Sequence, residues 1–244
     1  MDGIGNYSYH AKYWNWSGYD RSQEHKFWLE YAEKYGKNIL IPMCAWGETG
    51  AYMAEHGYNV TIFDITQEMI TESKKNFGNI PNLQILQGDI RDFNFDISVD
   101  FCFVVDFGHI LSIDDIKRAL ICIKNHLRNN GCLVIQTDLR MPNDISFYNE
   151  PQIFYPVKQM YPNKKVWKKG DTRYDSETGR RYVSQTFYTE HIGSEENNIE
   201  SFNHAFCLQA YYREEWLAVF KECGFHIKRE YGNRGEYIFE VLKS

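Results

Sequence analysis

Three acidic residues close three successive apolar runs of this 244-residue chain. Asp64 follows Tyr58-Asn59-Val60-Thr61-Ile62-Phe63, Asp89 follows Leu83–Leu86 and a Gln87-Gly88 turn, and Asp106 follows Asp100–Val105. An ionised carboxylate only accepts hydrogen bonds, so each suits a hydroxyl or amino donor. One at the end of a second strand can take both hydroxyls of a ribose, and one after a third strand can take an adenine amino group. Singly, each Asp is also a common cap of the helix that follows it. In series they favour a nucleoside. His109, just past the fourth run, can take or orient a proton. The loop Pro42-Met43-Cys44-Ala45-Trp46-Gly47 has glycine only at Gly47, with another at Gly50, and so lacks the GxGxxG that brings a pyrophosphate to a helix N-terminus. A nucleoside ligand without phosphates is expected, and a nicotinamide-dependent oxidoreductase is disfavoured.

The elements that must position these residues are readable from periodicity. Asn38–Ile41, Tyr58–Phe63, Leu83–Leu86, Asp100–Val105 and Cys132–Ile135 are short apolar runs. Between them lie helical stretches near 49–56, from Thr66 to Gly78, and from Ser112 to Asn130-Gly131. In the last of these, Ile116, Leu120, Ile123 and Leu127 form a stripe, and Ser112 with Asp115 resembles a capping box. Apolar strands alternating with amphipathic helices mean a parallel sheet covered on both faces. Before this core, Phe27, Trp28, Tyr31 and Tyr35 recur at helical spacing over 22–35. After it, residues 139–163 are irregular, and stretches near 165–173, 180–191 and 198–209 read as antiparallel strands. A helix near 212–222 and strands near 225–231 and 236–242 complete the chain.

Composition narrows the class. Lys and Arg number 27 against 33 Asp and Glu, a net charge of −6, which disfavours a nucleic-acid partner. No apolar run approaches the ~20 residues of a membrane span, and the N-terminal residues have no signal-peptide pattern. The six cysteines are scattered in apolar segments and read as reduced core thiols of a cytoplasmic protein. Neither they nor the eight histidines have metal-ligand spacing, so no metal is expected. Forty aromatic residues (18 Tyr, 16 Phe, 6 Trp) exceed what the periodic helices and strands absorb. The surplus lies in an N-terminal Tyr/Trp cluster and a Tyr-rich stretch after the core.

At these motifs the chain resembles class I S-adenosylmethionine-dependent methyltransferases. Ile39 through Ala54 aligns without gaps on that family's strand, glycine loop and helix, with Met53-Ala54 where Leu-Ala is usual. Val60–Met69 resembles the segment carrying the ribose ligand, and Gln87-Gly88-Asp89-Ile90 the adenine-binding turn. Phe107-Gly108-His109-Ile110-Leu111, Glu200–His204 and Phe220–Phe225 resemble, more loosely, the deoxysugar N,N-dimethyltransferases. Departures fall in the first loop. Ile41 stands where the family has an acid that helps hold the methionine amino group. Met43 and Ala45 replace the first two loop glycines, and Trp46 replaces a small residue. Side chains at 43 and 45 disfavour positive φ.

The resemblance implies an α/β fold: a doubly wound, mostly parallel seven-stranded sheet with a small antiparallel β lid. It divides the chain into an aromatic and helical cap (1–35), a cofactor-binding core (36–138), a lid insertion (139–210) and a closing segment (211–244). S-adenosylmethionine is the implied cofactor, met by Tyr13, Met43, Cys44, Ala45, Gly47, Asp64, Ile65, Asp89, Ile90, Val105 and Asp106. A small-molecule acceptor, methylated on N or O, is expected against Tyr9, Trp14, His109, Tyr188 and His204, with His109 as the catalytic candidate. Tyr182 and Asn203 are further lid candidates. The altered loop motivates a second expectation, a catalytically silent member serving as a binding or assembly subunit. An oligomer is compatible with either reading.

Overall fold

The computed structural model describes residues 11, 21–140, 153–154, 164–191, 199–233 and 236–244. Helix α1 (Ser22–Tyr35) precedes a βα alternation: β1 (Asn38–Pro42), α2 (Glu48–Glu55), β2 (Asn59–Asp64), α3 (Gln67–Phe77), β3 (Leu83–Gln87), β4 (Val99–Val105), α4 (Ile113–His126) and β5 (Leu127–Thr137). Strands β6 (Ile153–Phe154), β7 (Lys164–Asp175), β8 (Arg180–His191) and β9 (Ile199–Gln209) follow. Helix α5 (Arg213–Glu222), β10 (Phe225–Asn233) and β11 (Glu236–Lys243) close the chain.

The main sheet runs β3-β2-β1-β4-β5-β11-β10. The first five strands are parallel, while β11 is antiparallel to β5 and to β10. Leu40, Ile62, Phe103 and Val134 in its central strands are almost wholly buried, which is why those strands are apolar without alternation. The expected doubly wound fold with a separate antiparallel sheet is the one observed.

Helix α4 shows how sequence sets an element. Ile116, Ala119, Leu120 and Ile123 are fully buried on one stripe, and Ser112 Oγ accepts from Asp115 N at 3.1 Å. The Asp115 carboxylate turns instead to Arg118, so only half of the expected capping box forms. The helix also ends at His126, short of the expected Asn130-Gly131. Leu127 turns extended (ψ 135°), its carbonyl accepts from Lys243 Nζ at 2.5 Å, and Asn130 takes a left-handed turn (φ 65°).

The second sheet, β6-β7-β8-β9, is antiparallel. Its β7–β8 turn is built by Asp175, whose Oδ1 accepts from Glu177 N and Thr178 N at 3.0 and 3.3 Å, with Gly179 at φ 75°. A Leu139–Tyr211 bridge brings its two ends together at the margin of the main sheet.

Helix α1 is fastened to the sheet by rings and by one buried acid. Trp28 stacks on Phe103 at 4.1 Å and Tyr31 on Phe101 at 5.8 Å. Glu240 of β11, 1 % exposed, accepts from Lys34 Nζ at 2.8 Å and from the Tyr35 hydroxyl, with Lys228 Nζ at 3.6 Å. Burial favours its neutral form, but the Lys34 and Tyr35 bonds outweigh burial and hold its pKa below the usual carboxylate range. A depressed folded-state pKa contributes stability that is present above the unfolded value, about 4.3, and lost as pH falls through the folded one. Glu240→Gln is therefore expected to cost about 1–3 kcal/mol at neutral pH. It should also flatten the loss of stability below about pH 4.5, as urea titrations across that range would measure.

Candidate functional site

Strand order reverses between β1 and β4, with β2 and β3 on one side and β5 on the other. Such a switch point opens a crevice at the carboxyl ends of the strands. A cleft of about 470 Å³ lies there, within the range of small-ligand sites. Met43, Cys44, Ala45, Gly47, Asp64, Ile65, Asp89, Ile90, Val105, Asp106 and His109 all line it.

The first loop keeps a left-handed path at alternate residues: Met43 (φ 53°), Ala45 (φ 50°) and Gly47 (φ 77°). Only Gly47 is at ease there, and a side chain in this region costs on the order of 1–2 kcal/mol. The two non-glycine residues thus adopt the conformation that their types disfavour. Ala45 N donates to Asp64 Oδ2 at 3.0 Å, Cys44 N to Phe63 O at 3.1 Å and Gly47 N to Cys44 O at 2.8 Å. Glycine is required at 47 and 50 for a second reason. A Cβ would fall 2.2 and 2.4 Å from the Ile62 side chain, so loop and α2 lie hard against β2. Trp46 Nε1 donates to Ala11 O at 2.6 Å, tying Ala11 to the loop. Tyr9, Tyr13 and Trp14 lie outside the described residues.

Asp64 also accepts from Thr66 N at 2.9 Å, a bond that starts α3; the Thr66 side chain itself makes no capping bond. Burial pushes the Asp64 pKa up, while these amide donors and His109 oppose the rise. Asp89 differs. Its oxygens meet Arg91 Nε at 2.9 and 3.0 Å, Nη2 at 2.5 Å and the Arg91 amide at 2.9 Å. Burial favours its neutral form, but Arg91 prevails and holds it below the usual range, an ionised acceptor. Arg91 Nη1 lies 3.6 Å from Asp115 Oδ2, linking the β3 end to α4. Ile65 and Val105 are 38 % and 39 % exposed, apolar surfaces that a flat base could cover. Asp106 is left-handed (φ 60°), and its Oδ1 accepts from Gly108 N at 3.0 Å, shaping the turn Phe107–His109 that carries His109.

On its other side His109 meets the second sheet. His109 lies 5.5 Å from the Phe206 ring, and Phe206 lies 5.1 Å from His204. Phe187 is 6.5 Å from His204, and Lys168 Nζ sits 5.9 Å from the Phe187 ring. The pairings Lys168↔Phe187 and Gln185↔His204 put this row on one face. Burial lowers the Lys168 pKa to about 8. Tyr188 stacks on Trp167 at 5.3 Å, on the opposite face, as strand alternation requires. Tyr182, six residues from Tyr188, and Asn203, paired with Thr186, share that opposite face.

Sequence reasoning missed Arg21, Glu24, Glu48, Arg91, Asp115 and Lys168. Of these, Arg91 alone carried a local signal, a basic residue two positions after Asp89. Among the described residues no group of three or more His, Cys, Asp or Glu is placed to hold a metal ion, and no helix is long and apolar enough to cross a membrane.

Residues 39–131, from β1 into the start of β5, match a family described as a methyltransferase domain. Over that segment the chain matches the methyltransferase-domain family, and its seven-stranded sheet has the fold of class I S-adenosylmethionine-dependent methyltransferases. In fold it resembles solved sugar methyltransferases. KedS8, a sugar N-methyltransferase from Streptoalloteichus, superposes with a TM-score of 0.77 at 16 % identity over 100 % of this chain and 95 % of its own. CalS10, an amino pentose methyltransferase from Micromonospora echinaspora solved with S-adenosylmethionine, gives 0.75 at 16 % over 100 % of both chains. A methyltransferase from Clostridium acetobutylicum gives 0.78 at 15 % over 98 % of this chain and 99 % of its own. Comparison with curated protein sequences returns no significant match.

The loop strain yields a prediction. Ala45→Gly is expected to raise stability by about 0.5–1 kcal/mol, the left-handed cost less the added chain entropy of glycine. Thermal melting should show an increase of a few degrees. An unchanged or lowered midpoint would mean that the loop is not strained at Ala45.

Proposed function

We propose that the protein transfers the methyl group of S-adenosylmethionine to an amino nitrogen of a small, sugar-like acceptor. The observation that carries this is the switch-point cleft, with Asp64 and Asp89 fixed at adjacent strand ends inside a methyltransferase fold. The donor set fits the cofactor. Asp89, kept ionised by Arg91, suits an adenine amino group once it gives up one of its Arg91 bonds, with Ile65, Ile90 and Val105 against the base. Asp64 has both oxygens positioned by backbone amides, and each oxygen keeps a second lone pair for a ribose hydroxyl. When bound, the cofactor supplies an electrophilic methyl group on a sulfonium, open to in-line displacement.

The chain's own work is alignment, water exclusion and proton removal. His109 lies between the cleft and the Phe206–His204–Phe187–Lys168 row, where an acceptor would reach it from the lid. As the acceptor nitrogen forms its new bond to carbon, His109 takes the proton that the nitrogen sheds. Tyr9, Tyr13 and Trp14 serve as the closing aromatic wall; the bond from Trp46 to Ala11, two residues from both Tyr9 and Tyr13 in sequence, favours this. The amino pentose and sugar N-methyltransferase activities of the structural relatives favour nitrogen as the acceptor atom.

Three measurements test this. Calorimetry should detect binding of both S-adenosylmethionine and S-adenosylhomocysteine, and no binding at high micromolar concentration would leave the silent-subunit reading in its place. Against a panel of sugars differing only in amino or hydroxyl substitution, mass spectrometry should find added methyl groups on the amino members alone. His109→Ala should slow transfer by roughly 10²–10⁴-fold if the imidazole is the base. A loss under about tenfold would reduce His109 to orienting the acceptor.

A further inference from the structure

Among the described residues six carboxylates and two guanidiniums line the cleft. Four of the carboxylates have tasks in its floor. Asp64 holds the Ala45 and Thr66 amides, Asp89 holds Arg91, Asp106 holds the Gly108 amide, and Asp115 spans Arg91 and Arg118. The remaining two, Glu24 and Glu48, converge on Arg21. Arg21 Nη1 is 2.8 Å from Glu24 Oε2, and Nε is 3.1 Å from Glu48 Oε2.

The three groups come from separate places. Arg21 immediately precedes α1, Glu24 stands in its first turn, and Glu48 is the first residue of α2, directly after Gly47. They meet at the β1 loop, and Asp64 and Asp89 follow in order on the neighbouring β2 and β3. Ile41 of β1, which lines the cleft beside Pro42, is a hydrocarbon with 6 % exposure and offers no polar side-chain contact. The Arg21, Glu24 and Glu48 side chains are each less than one third exposed, and burial holds the Glu48 carboxyl above its usual pKa although Arg21 pulls it down.

An elongated nucleoside with its base at Asp89 and ribose at Asp64 presents its other end here. In S-adenosylmethionine that end is an α-amino acid, with an ammonium and a carboxylate on one carbon. A cluster of mixed sign complements such a zwitterion, whereas a lone acid would match only half of it. We infer that Arg21, Glu48 and Glu24 form the subsite for the amino-acid end of the cofactor, Arg21 taking the carboxylate and the two glutamates the ammonium. These residues thereby supply from α1 and α2 what Ile41 cannot supply from β1. On binding, Arg21 and the glutamates exchange part of their mutual pairing for pairing with the ligand.

The inference rests on the proposed cofactor, and the test separates the two. S-adenosylhomocysteine and 5′-methylthioadenosine share the adenosine and the sulfur, but only the first has the amino-acid end. In calorimetry Arg21→Gln and Glu48→Gln, each alone, should weaken S-adenosylhomocysteine roughly ten- to hundredfold, the loss of one charge-assisted bond. Both variants should bind 5′-methylthioadenosine within about threefold of the unsubstituted protein, which also shows that they are folded. Decarboxylated S-adenosylmethionine, an ammonium without the carboxylate, should be weakened by Glu48→Gln and unaffected by Arg21→Gln. Equal losses for both thioethers, or no loss for either, would overturn the subsite and leave the cluster as a clasp between α1 and α2. If the unsubstituted protein binds neither thioether, the proposed cofactor falls and the subsite with it.

Discussion

One carboxylate holds the ligand end of this fold together. Asp64 reaches back to the Ala45 amide and forward to the Thr66 amide, so the first loop and the start of α3 are registered against the same strand end. Two residues of that loop, Met43 and Ala45, are left-handed without being glycine. Their conformation costs free energy, and the bonds from Ala45 to Asp64 and from Cys44 to Phe63 offset it. The close packing of Gly47 and Gly50 on Ile62 blocks movement toward β2. The loop path in turn sets where α2 begins, and so where Glu48 meets Arg21. It also sets where Trp46 meets Ala11. The loop glycines of the family pattern are therefore replaceable where hydrogen bonds define the path and irreplaceable where contact does. That divides 43 and 45 from 47 and 50.

How much of this was legible in the sequence follows from what is local and what is not. The central strands were legible because burial on both faces makes them apolar throughout, and Asp64, Asp89 and Asp106 because strand ends share one side of a parallel sheet. The strands of the second sheet were legible through their turns, Asp175–Gly179 above all. The end of α4 was not, because the periodic stripe runs on to Leu127, while Leu127 already pairs with Val99 of β4 and accepts from Lys243 at the far end of the chain. Strand alternation put Tyr182 and Tyr188 on one face, but could not say which face looks toward His109. That depends on the cross-strand register of Lys168, Phe187 and His204 and on Phe206 meeting His109. Arg21, Glu24 and Glu48 were invisible for the same reason. Each is an ordinary first-turn or flanking charge until α1 and α2 are placed side by side.

In the proposed reaction the charge on sulfur disappears as the methyl leaves. A field that stabilised the sulfonium more than the transition state would therefore slow the chemistry, however tightly it held the cofactor. A cleft with six carboxylates against two guanidiniums faces that difficulty directly. The structure meets it by committing each carboxylate to donors of its own: backbone amides for Asp64 and Asp106, and guanidiniums for Asp89, Asp115, Glu24 and Glu48. The surfaces between them are apolar, with Phe103, Val105, Ile110 and Leu111 lining the β4 side toward His109. In the proposed binding mode the acids act at the polar extremities of the nucleoside, where hydroxyl, amino and ammonium donors persist through the reaction. In that mode the reacting centre lies against the apolar side chains between them. Such an arrangement spends its electrostatics on orientation, and orientation is what an in-line displacement between a bound sulfonium and a neutral amine most requires.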